Sequence, residues 1–500
     1  MASTIKSLMK DTAIYGLSSI LGRFLNWMLV PLHVRAVSST GEYGIISNLY
    51  AWTAMVMIIL IFGLETGLFR YINQSKEPNK VYTTTLWSVG FNVLVFLVLG
   101  LFFLSPISTA LGYAGNSDIV AMLMIIVAMD SFSAIPFAYL RYKKRPVRFA
   151  LVKLISIGLT IFFNCFFLLA CPWLLNHFPA SVNWFYTPGY VIGYIFIANL
   201  ISSAMTLLLL SPQLRHVGRV FDLQLWKKMM HYSFPLLLLG IAGNFNKMAD
   251  KILFPLLFED RAYADQQLGI YAACFKIAVV MVMFTQAFRY AYEPFIFNKK
   301  EGHDADERVA YASAMKYFII SSLFIYVGVI GYLDILKHFV SSAYYAGLAV
   351  VPLVMFGEMM FGIYSNLSLW YKITDKTFWG TIFSVAGCAL TVLIIIFGAP
   401  RFGFMACAWA SVISNTLIML LSYFIGKKYY HVPYDLRSIG FYVLIASVLV
   451  SLELLGWNYI PDSMSWLRIM INTLLILIML YVIIKRDIPL GQISLLRKKQ

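Results

Sequence analysis

The chain has 500 residues, of which 60% are hydrophobic and 12% charged, and its mean hydropathy is +0.77. Globular domains carry about 25% charged residues, so this composition excludes a soluble fold and implies a polytopic membrane protein. The formal net charge of +16 fits Lys- and Arg-rich cytoplasmic loops better than a nucleic-acid partner, and no nucleic acid is expected.

A helix needs about 20 apolar residues to cross the hydrocarbon core. Fourteen segments meet that length, near 12–33, 44–68, 82–107, 118–140, 147–170, 185–210, 229–256, 267–293, 309–331, 345–370, 377–398, 402–426, 438–457 and 464–484. No cleavable leader pattern precedes the first, so it is expected to direct insertion itself. The loops are too short for an extramembrane domain, which places function in the bundle. The expected fold is therefore an all-α polytopic membrane protein of about 14 transmembrane helices.

The first span contains SSILGRFLNWMLVPL (18–32), with Arg23 in its middle. A central arginine costs roughly 2.5 to 3.5 kcal/mol on insertion scales, so its presence implies a use. GLETG (63–67) and GYVIG (189–193) have the GxxxG spacing that lets helices approach closely. Pro31, Pro136, Pro235, Pro255, Pro294 and Pro352 are expected to kink or end helices. Trp173 and Trp184 flank an outer loop as interfacial anchors. Cys165, Cys171, Cys274, Cys388 and Cys407 lie in or beside apolar segments without CxxC spacing, which fits packing rather than metal or redox chemistry.

Of the 39 Lys and Arg residues, 27 fall in loops on one side of this layout, 5 on the other, and 7 within spans. The bias predicts cytoplasmic termini. Two stretches then recur. LRYKKRPVRF (140–149) aligns with LWYKITDKTF (369–378) at an offset of 229, and EYGIISNLY (42–50) with QLGIYAACF (267–275) at 225. Each match pairs a span with the span six later, which predicts two parallel six-helix lobes, 1–212 and 228–426. Residues 213–227 link them, and 427–500 add two helices and a basic tail. Parallel repeats related by an axis along the membrane normal are a transporter device.

The span-internal basic residues are Arg23, Lys153, Lys247, Lys251, Lys276, Arg289 and Lys316. Lys153, Arg289 and Lys316 fall near cytoplasmic helix ends, where snorkelling explains them. Arg289 and Glu293 also have ion-pair spacing on one helix. Arg23, Lys247, Lys251 and Lys276 are the candidate anion-binding set. They converge either on a wet cationic cavity or on structural ion pairs, since Asp250 stands beside Lys251. Arginine suits phosphate because its planar fork holds two oxygens. Among acidic residues, Asp130 and Glu358 lie at mid-depth, 228 apart. With Asp250 they either bind a coupling proton or sodium ion or neutralise a neighbouring lysine.

AIYGLSSILGRFLNWMLVPLHVRAVSSTGEYGIISNLY (13–50) resembles the opening of Wzx-type polysaccharide flippases, relatives of the MATE drug exporters and MurJ lipid II flippases. The resemblance rests on the Tyr-Gly start, a basic residue mid-helix, Pro31-Leu32 and Glu42-Tyr43-Gly44. YSFPLLLLGIAGNFNKMADKILFPLL (232–257) and LGIYAACFKI (268–277) are similar to the family again. The resemblance implies transfer of an undecaprenyl-pyrophosphate-linked oligosaccharide between leaflets of a bacterial cytoplasmic membrane. Membrane lipids and a polysaccharide polymerase are the implied partners, and proton or sodium coupling the implied drive. It also assigns Arg23, Lys247, Lys251 and Lys276 to the pyrophosphate.

A lipid II flippase of the MurJ kind is the nearest alternative. A MATE-like drug antiporter would be expected to present an acidic cavity and twelve helices. A membrane glycosyltransferase or polymerase would be expected to carry a large outer loop or a carboxylate cluster. No Walker A, HExxH or nucleophile-elbow pattern appears, so the chain reads as a transporter rather than an enzyme, with no cofactor beyond a coupling ion.

Overall fold

A computed structural model describes residues 20–215, 217–218, 220–298, 304–374 and 376–487. Among them the chain is helical throughout, without a strand. Twelve helices are long and apolar enough to cross a membrane, and they coincide with twelve of the expected spans. The first expected span begins within residues 1–19, outside the described residues. The seventh, 229–256, falls on a helix of 31 residues, Leu223–Leu253. Its Asn244, Asn246, Lys247, Asp250 and Lys251 keep it below the apolarity of the others. The chain divides into two compact units, Met1–Ala272 and Ala273–Gln500.

In the first unit, residues 20–27 are helical and the run breaks at 28–29. It resumes as α1, Val30–Ala36, with Pro31 in its first turn. A proline there has no N–H to donate and its ring clashes with the carbonyl four residues back, which accounts for the break. His33 Nε2 lies 2.8 Å from Oδ1 of the buried Asn164, which ties α1 to the later helix α6.

Helix α2, Thr40–Ile61, opens on Ser39, whose hydroxyl accepts from the Glu42 N–H. The Glu42 carboxylate in turn accepts from the Ser38 N–H at 2.8 Å, so Glu42 serves to start the helix. Its end is set by Phe62 and Gly63, both left-handed (φ 55° and 67°), before α3, Leu64–Ile72.

There follow α4 (Pro78–Phe102), α5 (Ser117–Tyr142), α6 (Pro146–Cys165), α7 (Val191–Leu214) and α8 (Leu223–Leu253). Asp222 caps α8 by accepting from the Leu225 N–H. That N–H first, and then Lys80, hold its carboxyl below the usual carboxylate range. The core between α2, α4, α5 and α7 contains Leu49, Leu64, Leu68, Ile195 and Phe196, with Tyr82 stacked on Tyr139 at 4.1 Å.

The two GxxxG matches part company here. A Cβ at Gly63 would lie 3.1 Å from the Ser233 carbonyl oxygen, and one at Gly67 2.8 Å from the Ser233 hydroxyl, so GLETG does seat α3 against α8. In GYVIG, Gly189 has nothing within 4 Å and Gly193 faces the ring of Tyr190 in its own segment. The expectation of close helix approach fails there because the first glycine precedes the helix.

The second unit begins within α9, Arg261–Asn298. It continues with α10 (Asp304–Gly331), α11 (Val350–Leu367), α12 (Phe378–Phe402), α13 (Met405–Tyr429), α14 (Leu436–Tyr459) and α15 (Ser465–Asp487). Lipid gives little hydrophobic drive between helices, so small residues and polar contacts join them. Asn415 donates to the Gly357 carbonyl at 3.1 Å, and Ser414 donates to the Gly387 carbonyl at 2.6 Å. Near one end of α10, Asn472 donates to the Gly331 carbonyl.

Beside it, the guanidinium of Arg468 donates through Nη2 to Asp334 Oδ1 at 3.0 Å, with Nε 2.9 Å from Oδ2. Lys337 reaches the same carboxylate at 2.9 Å. Arg468 and Asp334 are each 3% exposed. Asp334 holds two cations, so Asp334→Ala leaves both uncompensated and is expected to cost about 3 to 5 kcal/mol. Arg468→Met, which leaves the carboxylate on Lys337, should cost less. Melting of the purified variants in detergent checks both.

Candidate functional site

A dense polar assembly forms where α2 crosses the start of α9. A Cβ placed on Gly44 would lie 1.9 Å from the Asp265 carbonyl oxygen and 3.0 Å from the Gly269 nitrogen. One placed on Gly269 would lie 1.8 Å from the Thr40 carbonyl oxygen and 3.0 Å from the Gly44 nitrogen. Gly44 and Gly269 are 225 apart in the chain, as are Thr40 and Asp265. Each segment therefore offers the other the same surface, as in a contact on a twofold axis. Only glycine leaves room for it.

One turn further along α2, the side chain of Asn48 is 1% exposed. It donates to the Lys251 carbonyl at 2.6 Å and accepts from the Tyr113 hydroxyl at 3.0 Å. Arg261 lies over the Tyr113 ring, 4.8 Å from its centroid, and donates to the Tyr113 oxygen at 2.5 Å. Its Nε is 3.3 Å from Asp265 Oδ2. Gly112, at φ 80°, lets the stem of Arg261 lie against the chain there. Tyr113 precedes its helix, and burial among these groups pushes its hydroxyl pKa up. Three stretches of sequence, around 48, 113 and 251–265, are thus joined by charge-assisted and neutral hydrogen bonds in a largely buried space, where each bond is strengthened and each loss is costly.

The same assembly reaches two of the expected site residues. Lys251 Nζ lies 2.8 Å from Asp250 Oδ2, and its backbone N–H donates to Oδ1 at 2.8 Å. The Tyr271 hydroxyl donates to Oδ2 at 2.7 Å, and the ammonium sits 5.6 Å from that ring's centroid. Lys251 and Asp250 thus form an ion pair.

The other expected residues sit elsewhere. Lys247, one turn before Lys251, is exposed, and so is Arg23 in the helical residues 20–27. Gly22 beside Arg23 faces Ile157 of α6. Lys276 is partly buried on α9 and belongs to the second unit. Asp130 accepts from the Ser203 hydroxyl at 2.7 Å, which joins α5 to α7. Glu358 is partly buried in the middle of α11.

Among the basic residues read as snorkelling, Lys153 lies 4.3 Å from the Phe137 ring centroid. Lys316 pairs with Asp487 at 2.5 Å and comes within 3.9 Å of Asp435. The side chain of Glu293, the expected partner of Arg289, lies outside the described residues.

Asn48, Tyr113, Arg261 and Asp265 were not singled out from sequence. The available signals were Arg261 as one of few basic residues on its side and its i, i+4 spacing to Asp265. Since side chains larger than hydrogen overlap backbone atoms at the crossing, Gly44→Val and Gly269→Val are each expected to destabilise by at least about 1 to 3 kcal/mol. Gly158→Ala, at a position with nothing within 4 Å, should leave melting unchanged or slightly raised. Thermal melts of the three variants decide this, and wild-type melting of the valine variants would contradict the crossing.

Residues 8–300 match the model of a family described as "Polysaccharide biosynthesis protein". Among solved structures, the chain is similar to a lipid II flippase MurJ in an inward closed conformation, with TM-score 0.72 at 13% identity over 94% of this chain and 98% of that one. It is also similar to an inward-facing multidrug resistance MATE family transporter of the MOP superfamily, with TM-score 0.63 at 11% identity over 83% and 94%. A third similar structure is the MATE multidrug transporter DinF-BH, with TM-score 0.58 at 15% identity over 85% and 96%. No curated protein matches in sequence. At these identities the structural likenesses establish the fold.

Proposed function

The chain belongs to the polysaccharide biosynthesis protein family, and from that premise we propose that it flips an undecaprenyl-pyrophosphate-linked oligosaccharide from the inner to the outer leaflet of a bacterial cytoplasmic membrane. The observation that carries this reading is the coincidence of that family with a fold shared, over 94% of the chain, with a structure titled a lipid II flippase. A glycan attached to a lipid pyrophosphate presents the same transport problem as lipid II: a polar, anionic head crosses while its tail stays in hydrocarbon. Both termini are assigned to the cytoplasm.

Arg23 and Lys247 are the residues assigned to the pyrophosphate, with Lys276 as a third contact. Exposed side chains on membrane helices suit that role, because a guanidinium and an ammonium facing a wet cavity remain solvated until an anion replaces the water. Lys251 is assigned a supporting role, since Asp250 already holds it. The glycine crossing and the network around Asn48 serve as the closed barrier on the side opposite the basic loops, and alternating access requires them to part. The likeness to a structure titled inward closed supports that assignment. Asp130 and Glu358 are the assigned carriers of a coupling proton or sodium ion.

A charge-assisted hydrogen bond contributes about 1.5 to 3 kcal/mol, so Arg23→Ala or Lys247→Ala should lower delivery of the lipid-linked glycan roughly ten- to hundredfold. Arg23→Lys should fall between, having kept the charge and lost the fork. The measurement is outer-leaflet glycolipid in cells or proteoliposomes at matched protein level. Undiminished delivery in both alanine variants would remove these residues from the mechanism.

A further inference from the structure

Where α4, α5 and α7 meet the turn between α5 and α6, the first unit holds a cavity of about 180 Å³. Its polar lining is Asn79, Tyr139, Lys143, Arg145 and Gln213. At about 30 Å³ per water it would hold about six, enough for a small polar headgroup. Lys144 takes the left-handed conformation, φ 50°, and the Arg145 N–H returns to the Leu140 carbonyl at 3.0 Å. That turn brings Lys143 and Arg145 to the same rim.

Charge sets the sign of the occupant. No lining residue is acidic, and the carboxylates of this region are engaged elsewhere: Glu65 with Arg141, and Asp222 and Glu77 with Lys80. Lys143 lies 5.3 Å from the Tyr139 ring centroid, a contact that keeps its charge, so two cations face a cavity with no carboxylate in its lining. Its deep wall adds a second requirement. Gln213 is 4% exposed, yet its side-chain Oε1 has no hydrogen-bond partner among the described residues. A buried amide oxygen left unpaired costs about 1 to 3 kcal/mol, so the natural occupant supplies a hydroxyl or N–H donor there. The ligand must carry an anion at one end and a donor at the other.

Helix α6 leaves this rim directly and exposes Val147 and Leu151, an apolar surface suited to acyl chains. We propose that the cavity binds the headgroup of a hydroxyl-bearing anionic phospholipid, with its phosphodiester on Lys143 and Arg145 and a glycerol hydroxyl on Gln213. Basic pockets between membrane helices hold lipid phosphates in this way. In the matching loop of the second half, Thr374 replaces Arg145 and Ile373 replaces Lys144.

The test uses the full chain in detergent, titrated with dioleoylphosphatidylglycerol, dioleoylphosphatidylcholine, dioleoylphosphatidic acid, glycerol 3-phosphate or inorganic phosphate. Native mass spectrometry and melting temperature are the readouts. Phosphatidylglycerol should remain bound and raise the melting temperature, whereas phosphatidylcholine and the two soluble phosphates should not. Lys143→Gln with Arg145→Gln should lower that affinity roughly thirtyfold, at about one contact per basic residue. Lys227→Gln with Lys228→Gln, an equal charge loss on exposed residues away from the cavity lining, should leave it unchanged.

Gln213→Met should retain anion binding but lose the preference for phosphatidylglycerol over phosphatidic acid. Wild-type affinity in the Lys143/Arg145 variant, or equal weakening in the Lys227/Lys228 variant, would overturn the site. Binding of glycerol 3-phosphate as tight as that of the lipid would overturn the lipid assignment in favour of a soluble phosphate ester.

Discussion

At Gly44 and Gly269 two helices meet backbone to backbone, at distances that admit no side chain beyond hydrogen. That contact fixes the position of everything around it. It brings the Asp265 carbonyl onto α2 and sets Asn48 one turn away, where Asn48 bonds the Lys251 carbonyl and Tyr113, and Arg261 bonds Tyr113. The two partners present the same spacing of residues to each other, so a single short motif used twice, EYGI and QLGI, suffices to specify both faces. Self-complementarity of this kind is economical, because one surface serves as both halves of the joint.

Charge is the second organising theme. Hydrocarbon tolerates an ionised group only where it is paired, hydrogen-bonded or wet. Several intramembrane and membrane-edge charges meet the condition by pairing in buried places: Asp250 with Lys251 and Tyr271, Asp334 with Arg468 and Lys337, and Lys316 with Asp487. Arg23 and Lys247 are exposed on the surface of the protein. The proposed transport reading assigns the anion to these two and leaves Lys251 with Asp250.

Much of the fold was legible in the sequence because span length is a coarse, robust signal. Twelve apolar segments became twelve membrane-length helices. Pro31 marked the break before α1, and Glu42 the start of α2. The helix Leu223–Leu253 was harder to read by apolarity alone, since it carries the polar residues of the candidate site. GYVIG misled because a spacing rule cannot tell a glycine inside a helix from one just before it. At the site, adjacency in sequence was enough to foresee the Asp250–Lys251 pair. The network around Asn48 was not foreseeable, because its members come from three distant stretches, around 48, 113 and 251–265, that the crossing brings together. The repeat offset of 225 held the clue, but it became a contact only once both glycines were seen against each other's backbone.

The account's central claim is that this crossing opens during transport. Gly41 and Gln266 are again 225 apart, and a Cβ on Gly41 would lie 3.4 Å from the Gln266 side chain, close enough for a disulfide between cysteines there. The decisive measurement is glycolipid delivery by Gly41→Cys/Gln266→Cys, with Cys165 and Cys388 replaced by serine, before and after oxidation. Oxidation should abolish delivery and reduction should restore it; wild-type delivery by the fully cross-linked protein would contradict the account.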